Sequence, residues 1–183
     1  MNKTITMLLL VLPSFANANS NISFDFGGWS KHLYEQPEHV KKIAPYKENH
    51  NVWGLRYTSG FDNDPSYKWS LGANYMKDSF GFDAYSLAAG WYYNIDLPND
   101  FYIDVGGTIG MQHRSWTDKV YHDRIDFKMV TVPFIAPELK FGYKRIYTSI
   151  MLFPNVRTPA NGNPELVEPT LFLQFGVDLI NVN

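Results

Sequence analysis

Tyr67-Lys68-Trp69-Ser70-Leu71-Gly72-Ala73-Asn74-Tyr75-Met76-Lys77-Asp78 alternates residue by residue. Tyr67, Trp69, Leu71, Ala73 and Tyr75 fall on one side, with Lys68, Ser70, Gly72, Asn74, Met76 and Asp78 on the other. Successive side chains of a strand point to opposite faces, so one face here suits lipid and the other a polar or tightly packed interior. Phe101 to Gln112 repeats the pattern. Phe101, Ile103, Val105, Gly107, Ile109 and Met111 alternate with Tyr102, Asp104, Gly106, Thr108, Gly110 and Gln112. A strand of this length, tilted by about 45°, crosses the hydrocarbon layer of a membrane. The pattern predicts an all-β chain forming an eight-stranded antiparallel transmembrane barrel.

The N-terminus agrees with that reading. Lys3 precedes an apolar run from Ile5 to Leu12, then Pro13 and the small-residue triplet Ala16-Asn17-Ala18, which together read as a secretory signal peptide over residues 1–18. Cleavage after Ala18 leaves 165 of the 183 residues, one domain's worth, as the barrel domain 19–183. No later run approaches the roughly 20 apolar residues of a spanning helix. Without Lys3, 15 of the 16 Lys and Arg face 18 Asp and Glu, so no basic excess invites nucleic acid. Cysteine is absent, which removes disulfides and thiolate chemistry. Aromatics reach 16% and gather near strand ends, where girdles at the two membrane interfaces account for them.

Reading by period places strands at Ile22–Leu33, Asn51–Ser59, Tyr67–Lys77, Ala84–Ile95, Phe101–Gln112, Met129–Tyr143, Ile146–Phe153 and Pro169–Ile180. With both termini periplasmic, the short connections Gly60–Ser66, Asp96–Asp100 and Lys144–Arg145 become periplasmic turns. Tyr34–His50, His113–Lys128 and Pro154–Glu168 are long and polar, as extracellular loops are, while Asp78–Asp83 is a short loop on that side. Gly27-Gly28 interrupts the first strand's alternation and predicts a bulge or kink. The sixth strand carries two prolines.

Several short motifs then fall in order. Tyr46-Lys47-Glu48 is followed by Met76-Lys77-Asp78-Ser79-Phe80, then Gly90-Trp91 twelve residues after Asp78. Val132-Pro133-Phe134-Ile135-Ala136-Pro137 leads to Phe141-Gly142-Tyr143, and Phe153-Pro154 closes the next strand. This series resembles the lipid A palmitoyltransferases of Gram-negative outer membranes, the PagP type, from about Trp29 to Phe175. The resemblance implies a phospholipid donor, lipid A as acceptor, the outer membrane as location and no cofactor. It also implies catalytic roles for His32, Asp78 and Ser79 at the extracellular rim, with His32 matched after a one-residue shift. Gly90 would set the floor of an interior acyl slot, and Pro133 and Pro137 would open a side door for lipid.

Acyl transfer needs a base for the attacking hydroxyl, stabilisation of charge on the ester oxygen, and a slot that orients the chain. A neutral imidazole at His32 fits the base, with Asp78 orienting it or stabilising its charged form. Ser79 fits either a nucleophile or a hydroxyl donor; the donor role is preferred because no Gly-x-Ser-x-Gly elbow is present. On residue types alone, Asp78-Ser79 equally suits the cap of a tight loop and His32 a solvated rim residue. Small inward residues around Gly90 suit either an acyl void or close packing on an interior aromatic. Pro133 and Pro137 break the ladder, as a lipid door or an idle bulge. His39, His50, His113 and His122 match no metal-ligand spacing and read as solvated loop residues. Lys119, Arg124, Lys128, Arg114 and Arg157 are candidates to meet lipid A phosphates, diluted by Asp118, Asp123 and Asp126.

Two rival readings remain open. One is a non-enzymatic small barrel that binds surfaces or ligands through its extracellular loops. The other is a lipid A deacylase, against which the strand faces show no His-x-Ser pair followed by a nearby Glu. Nothing on an inward face or loop demands a partner chain, so a monomer is expected.

Overall fold

The computed structural model describes residues 20–61, 63–157 and 165–182, so the signal peptide reading, and part of the third long loop, lie outside the described residues. Eight antiparallel strands close into a barrel in sequence order: β1 (Ser20–His32), β2 (Asn49–Phe61), β3 (Asp64–Lys77), β4 (Asp83–Asp96), β5 (Phe101–Val120), β6 (Ile125–Tyr143), β7 (Ile146–Arg157) and β8 (Glu165–Val182). Closure removes sheet edges, the one way a β-structure satisfies its backbone in hydrocarbon. The alternation read from Tyr67 to Asp78 is realised, with Leu71 54% exposed and Ser70 4% exposed one residue earlier. Leu87, Trp91, Ile109, Ile135, Ile146 and Ile150 continue the apolar exterior around the wall. So large an apolar surface has no place in water, and it makes this a membrane-spanning barrel.

The tight connections lie at one end. Asn99, Asp100 and Lys144 adopt left-handed backbone conformations there, as short hairpin turns of this hand require. Gly27 and Gly28 have φ of 85° and 93°, and the β1–β2 register shifts between Gly27 and Trp29, so the predicted bulge is present.

Two expectations change at the loop end. Residues 113–128, read as an extracellular loop, instead prolong the β5–β6 ladder to Val120 opposite Ile125. The apolar alternation lapses above the membrane, and the backbone ladder is joined there by the Lys128–Asp118 ion pair and by Phe127 packed on Phe80 and Phe82. Residues 34–50 contain a short helix, α1 (Glu38–Ile43).

Inside, the barrel has two storeys. On the turn side, Arg56 is enclosed by carboxylates, with Nε 3.1 Å from Asp25 and a terminal nitrogen 3.0 Å from Glu138. Tyr92, Thr108 and Ser149 donate to Glu138, and Tyr147 donates to Asp25. On the loop side, Val52, Met76, Ala84, Ala136, Met151 and Phe172 form an apolar cluster, with Phe153 packed on it.

Candidate functional site

The loop-end site is built by three strand termini. His32 is the last residue of β1, Asp78 and Ser79 follow β3 directly, and Ser115 comes from the prolonged part of β5. Exposed outward ion pairs Lys31–Glu48 (3.3 Å) and Lys77–Asp83 (2.6 Å) flank them. Such pairs do not sit in hydrocarbon, so these residues lie beyond the spanning segments.

Asp78 organises the turn that presents Ser79. One of its carboxylate oxygens accepts from the amides of Phe80 (2.9 Å) and Phe82 (3.0 Å). The other accepts from the amide (2.9 Å) and hydroxyl (2.5 Å) of Ser115. Gly81 turns the chain at φ 89°, and the Ser79 carbonyl is held by the amide of Lys47 at 2.7 Å. These four donors engage the carboxylate, and none of its hydrogen bonds reaches His32. The expectation that Asp78 orients the imidazole is therefore corrected: it fixes the Ser79 loop instead.

His32 and Ser79 do meet. Nε2 lies 2.9 Å from Ser79 Oγ, and Nδ1 lies 2.8 Å from Thr170 Oγ1 on β8. Both partners are hydroxyls, able to donate or accept; in the tautomer protonated at Nδ1, Nδ1–H donates to Thr170 and the Nε2 lone pair accepts from Ser79. Tyr46 stacks on the imidazole at 3.9 Å between ring centroids, and Phe80 packs on Tyr46. Burial pushes the His32 pKa down to about 4, the nearby charge of Arg114 and the neighbouring His50 add to this, and Glu48 opposes it. The ring is neutral at ordinary pH.

Gly90 is buried and faces inward, but the Tyr92 phenol occupies the space over it; a methyl group there would lie 2.2 Å from the Tyr92 oxygen. Gly90 thus gives room to Tyr92, and Tyr92 with Arg56 and Glu138 closes the interior. A cavity of about 40 Å³ lies above this closure, lined by Met76, Ala88, Gln112, Phe134, Met151 and Phe172 among others, without Gly90. It has room for a water or two and not for an acyl chain.

Pro133 and Pro137 lie beside an opening in the wall. β6 pairs with β7 only from Tyr143 opposite Ile146 to Glu138 opposite Met151, whereas the β5–β6 ladder runs through both prolines. The two have the same parity, so their missing N–H groups face the same side, toward β7. Along this seam runs an external groove of about 660 Å³ lined by Trp91, Ile109, Ile135, Pro137, Leu152 and Pro154 among others. Thr108 borders both groove and cavity.

Four participants escaped the sequence reading. Thr170, Ser115 and Ser30 are single hydroxyls with no motif to distinguish them. His50, read as a solvated loop residue, is 3% exposed, with Nδ1 donating to the Lys77 carbonyl (2.7 Å) and Nε2 facing Ser30 Oγ (2.6 Å). Among the described residues, no group of three or more His, Asp or Glu is placed to hold a metal. Side chains at 155–157 lie outside the described residues, so the Arg157 reading is not placed.

Fold and site together define a membrane-spanning eight-stranded β-barrel with a histidine–serine pair at its loop end. No family model and no curated protein matches the chain. Among solved structures it is similar to the N-terminal β-barrel domain of Pseudomonas aeruginosa OprF, at 13% identity over 88% of this chain and 98% of that one, TM-score 0.45. It is also similar to Ail, the attachment invasion locus protein of Yersinia pestis, in complex with the heparin analogue sucrose octasulfate, at 13% identity, the same coverages and TM-score 0.37. At these scores the likeness assigns neither activity nor ligand.

Proposed function

We propose that this barrel is an outer-membrane acyltransferase resembling lipid A palmitoyltransferase, taking an acyl chain from a phospholipid and passing it to a lipid A hydroxyl. The observation that carries the reading is the His32–Ser79 hydrogen bond, made by a neutral imidazole at the edge of the bilayer. That bond makes Ser79 the hydroxyl whose proton His32 is placed to take, which favours nucleophile over simple donor. Ser79 Oγ attacks the ester carbonyl while its proton moves to Nε2; Nε2 then gives that proton to the departing glycerol oxygen. In the second half the acceptor hydroxyl passes its proton to Nε2 and attacks the acyl-Ser79 ester, and Ser79 leaves reprotonated. Thr170 and Tyr46 keep the ring in place through both halves. The unpaired β6–β7 seam supports lateral entry of a lipid chain, which must then displace Phe134, Phe153 or Met151 to enlarge the cavity.

The test is a mass spectrum of lipid A from a palmitoyltransferase-deficient host expressing the chain, beside Ser79→Ala and His32→Ala. A palmitoyl-sized gain lost in both variants supports the transferase; an unchanged spectrum from correctly inserted protein sinks it. The small size of the cavity favours a second reading, a non-enzymatic barrel that binds through its loops, with the prolonged β5–β6 hairpin as the presented surface. In that case the two substitutions leave its binding phenotype intact and shortening the hairpin removes it.

A further inference from the structure

Arg114 stands within this site, and the steps above do not use it. It lies on the inward face of β5, and its terminal nitrogen makes only a long contact, 3.4 Å, with Oε1 of Gln112, a residue that lines the interior cavity. Its Nε is shut off from solvent without a hydrogen-bond partner. Among the described residues, no carboxylate lies within ion-pair distance of it. Its charge nonetheless acts on Asp78, Tyr46, His32 and His50, so it sits among the groups that surround Ser79.

Arg114 is half-buried with its Nε shut off from solvent, and a guanidinium so placed, with neither a carboxylate nor a full set of acceptors, carries a cost that falls when an anion with several acceptor oxygens binds. The Asp78 carboxylate cannot serve, because its two oxygens are already taken by Phe80, Phe82 and Ser115. The position also says what kind of anion. Arg114 makes no hydrogen bond with His32 or Ser79, but the next residue, Ser115, bonds the Asp78 carboxylate beside Ser79, so Arg114 stands next to the reacting pair without joining it. In a glycerophospholipid the phosphate is similarly a few bonds from the ester carbonyl, and a planar guanidinium pairs with two phosphate oxygens at once.

We propose that Arg114 binds the phosphate of the lipid substrate and so sets which ester reaches Ser79. This rests on the transferase reading for its purpose but not for its measurement. The phosphate has two sources, the phospholipid donor or the lipid A acceptor, and the experiment separates them.

Ser79→Ala protein, inert in transfer, is titrated in an uncharged detergent with fluorescent phosphatidylglycerol, with the matching diacylglycerol, and with lipid A with and without its phosphates. Each titration is repeated with Arg114→Gln and Arg114→Lys added. The expected result is about 10-fold or greater weakening by Arg114→Gln, confined to the phosphate-bearing lipids and largely restored by Arg114→Lys. Loss with phosphatidylglycerol names the donor, and loss with phosphorylated lipid A the acceptor. Equal affinity across the variants, or equal loss on diacylglycerol, overturns the proposal. A second measurement guards against misfolding: the heat-modifiable gel mobility of each variant in the same detergent, which Arg114→Gln should share with its parent. An Arg114→Gln protein that loses the folded form while diacylglycerol affinity also falls makes Arg114 a structural residue and overturns the phosphate role. If the parent protein binds phospholipid through Arg114 yet never acylates lipid A, the transferase reading falls and this inference stands.

Discussion

His32 is half-buried, and the nearby charge of Arg114 joins desolvation in outweighing the anionic neighbour that opposes them, Glu48. The pKa of about 4 therefore has a functional signature. A base is active when unprotonated, so transfer or ester hydrolysis should keep its full rate as pH falls past the ordinary histidine value of 6.5 and decline only through about 4. Stability follows the same sign. The unfolded chain binds a proton between these values and the native site does not, so the contribution of neutral His32 is complete above 6.5 and is lost as pH falls toward 4. An initial-rate profile on p-nitrophenyl palmitate between pH 3.5 and 8 checks the first statement. An acid limb centred near 6.5 would show that the ring is solvated. Asp78 makes a contrasting case. Because it does not touch the imidazole, Asp78→Asn should lower activity and destabilise the turn, at about 1–3 kcal/mol for the donors left facing an amide. It should leave the acid limb where it was. A shifted limb would restore Asp78 to the orienting role that the family resemblance implies.

At the scale of elements, the seam between β6 and β7 is a structural consequence of two residue choices. Proline at 133 and 137 cannot donate toward β7, so pairing beyond Glu138 opposite Met151 would be broken at every second opportunity. Ile135 shares their parity and its N–H faces the same gap, while the Ala136 N–H faces β5 across a continuous ladder. Amide exchange read by NMR in micelles should therefore be faster at Ile135 than at Ala136 by about 10-fold or more, ~1.4 kcal/mol of local protection. Equal protection would mean that the two strands zip closed in the membrane. The prolines were legible in the sequence because the residue type itself forbids a bond, and so were Gly27-Gly28 and the lipid-facing alternation. The β5–β6 extension was not. Beyond His113 no lipid selects apolar residues at alternate positions, and the side-chain contacts that join the ladder there, Lys128–Asp118 and Phe127 on Phe80 and Phe82, leave no apolar period to read. His32 and Ser79 were legible only as a resemblance, since nothing in their 47-residue separation places them 2.9 Å apart. Thr170, which holds the other ring nitrogen, is 138 residues from His32 and carries no signal at all.

For the molecule as a whole, the interior divides the barrel into a half that excludes water and ions and a half that the site can use. Arg56 is the pivot of that division. It bonds Asp25, Glu138 and the Tyr92 hydroxyl, and Lys140 lies over the Tyr92 ring at 3.8 Å. Arg56 on β2 thus bonds its ladder neighbour β1 and reaches across the lumen to β4 and β6, with which β2 shares no ladder. Arg56→Met removes the cation and leaves Asp25 and Glu138 buried with only hydroxyls and Lys140 to answer them. The expected cost is about 3–5 kcal/mol in urea unfolding from lipid vesicles, the range for a buried pair robbed of one partner. Arg56→Lys should cost less, since a charge remains but the forked geometry is lost. The same variant probes what the ionic storey does for the site above it. With the two carboxylates repelling each other, the Tyr92 phenol loses its Arg56 bond, and the floor under the cavity loosens. Planar bilayer recordings should then show conductance steps for Arg56→Met where the parent chain is silent. A mutant as stable and as silent as its parent would mean that the barrel is closed by packing alone, and that the ionic cluster is not what separates the two halves.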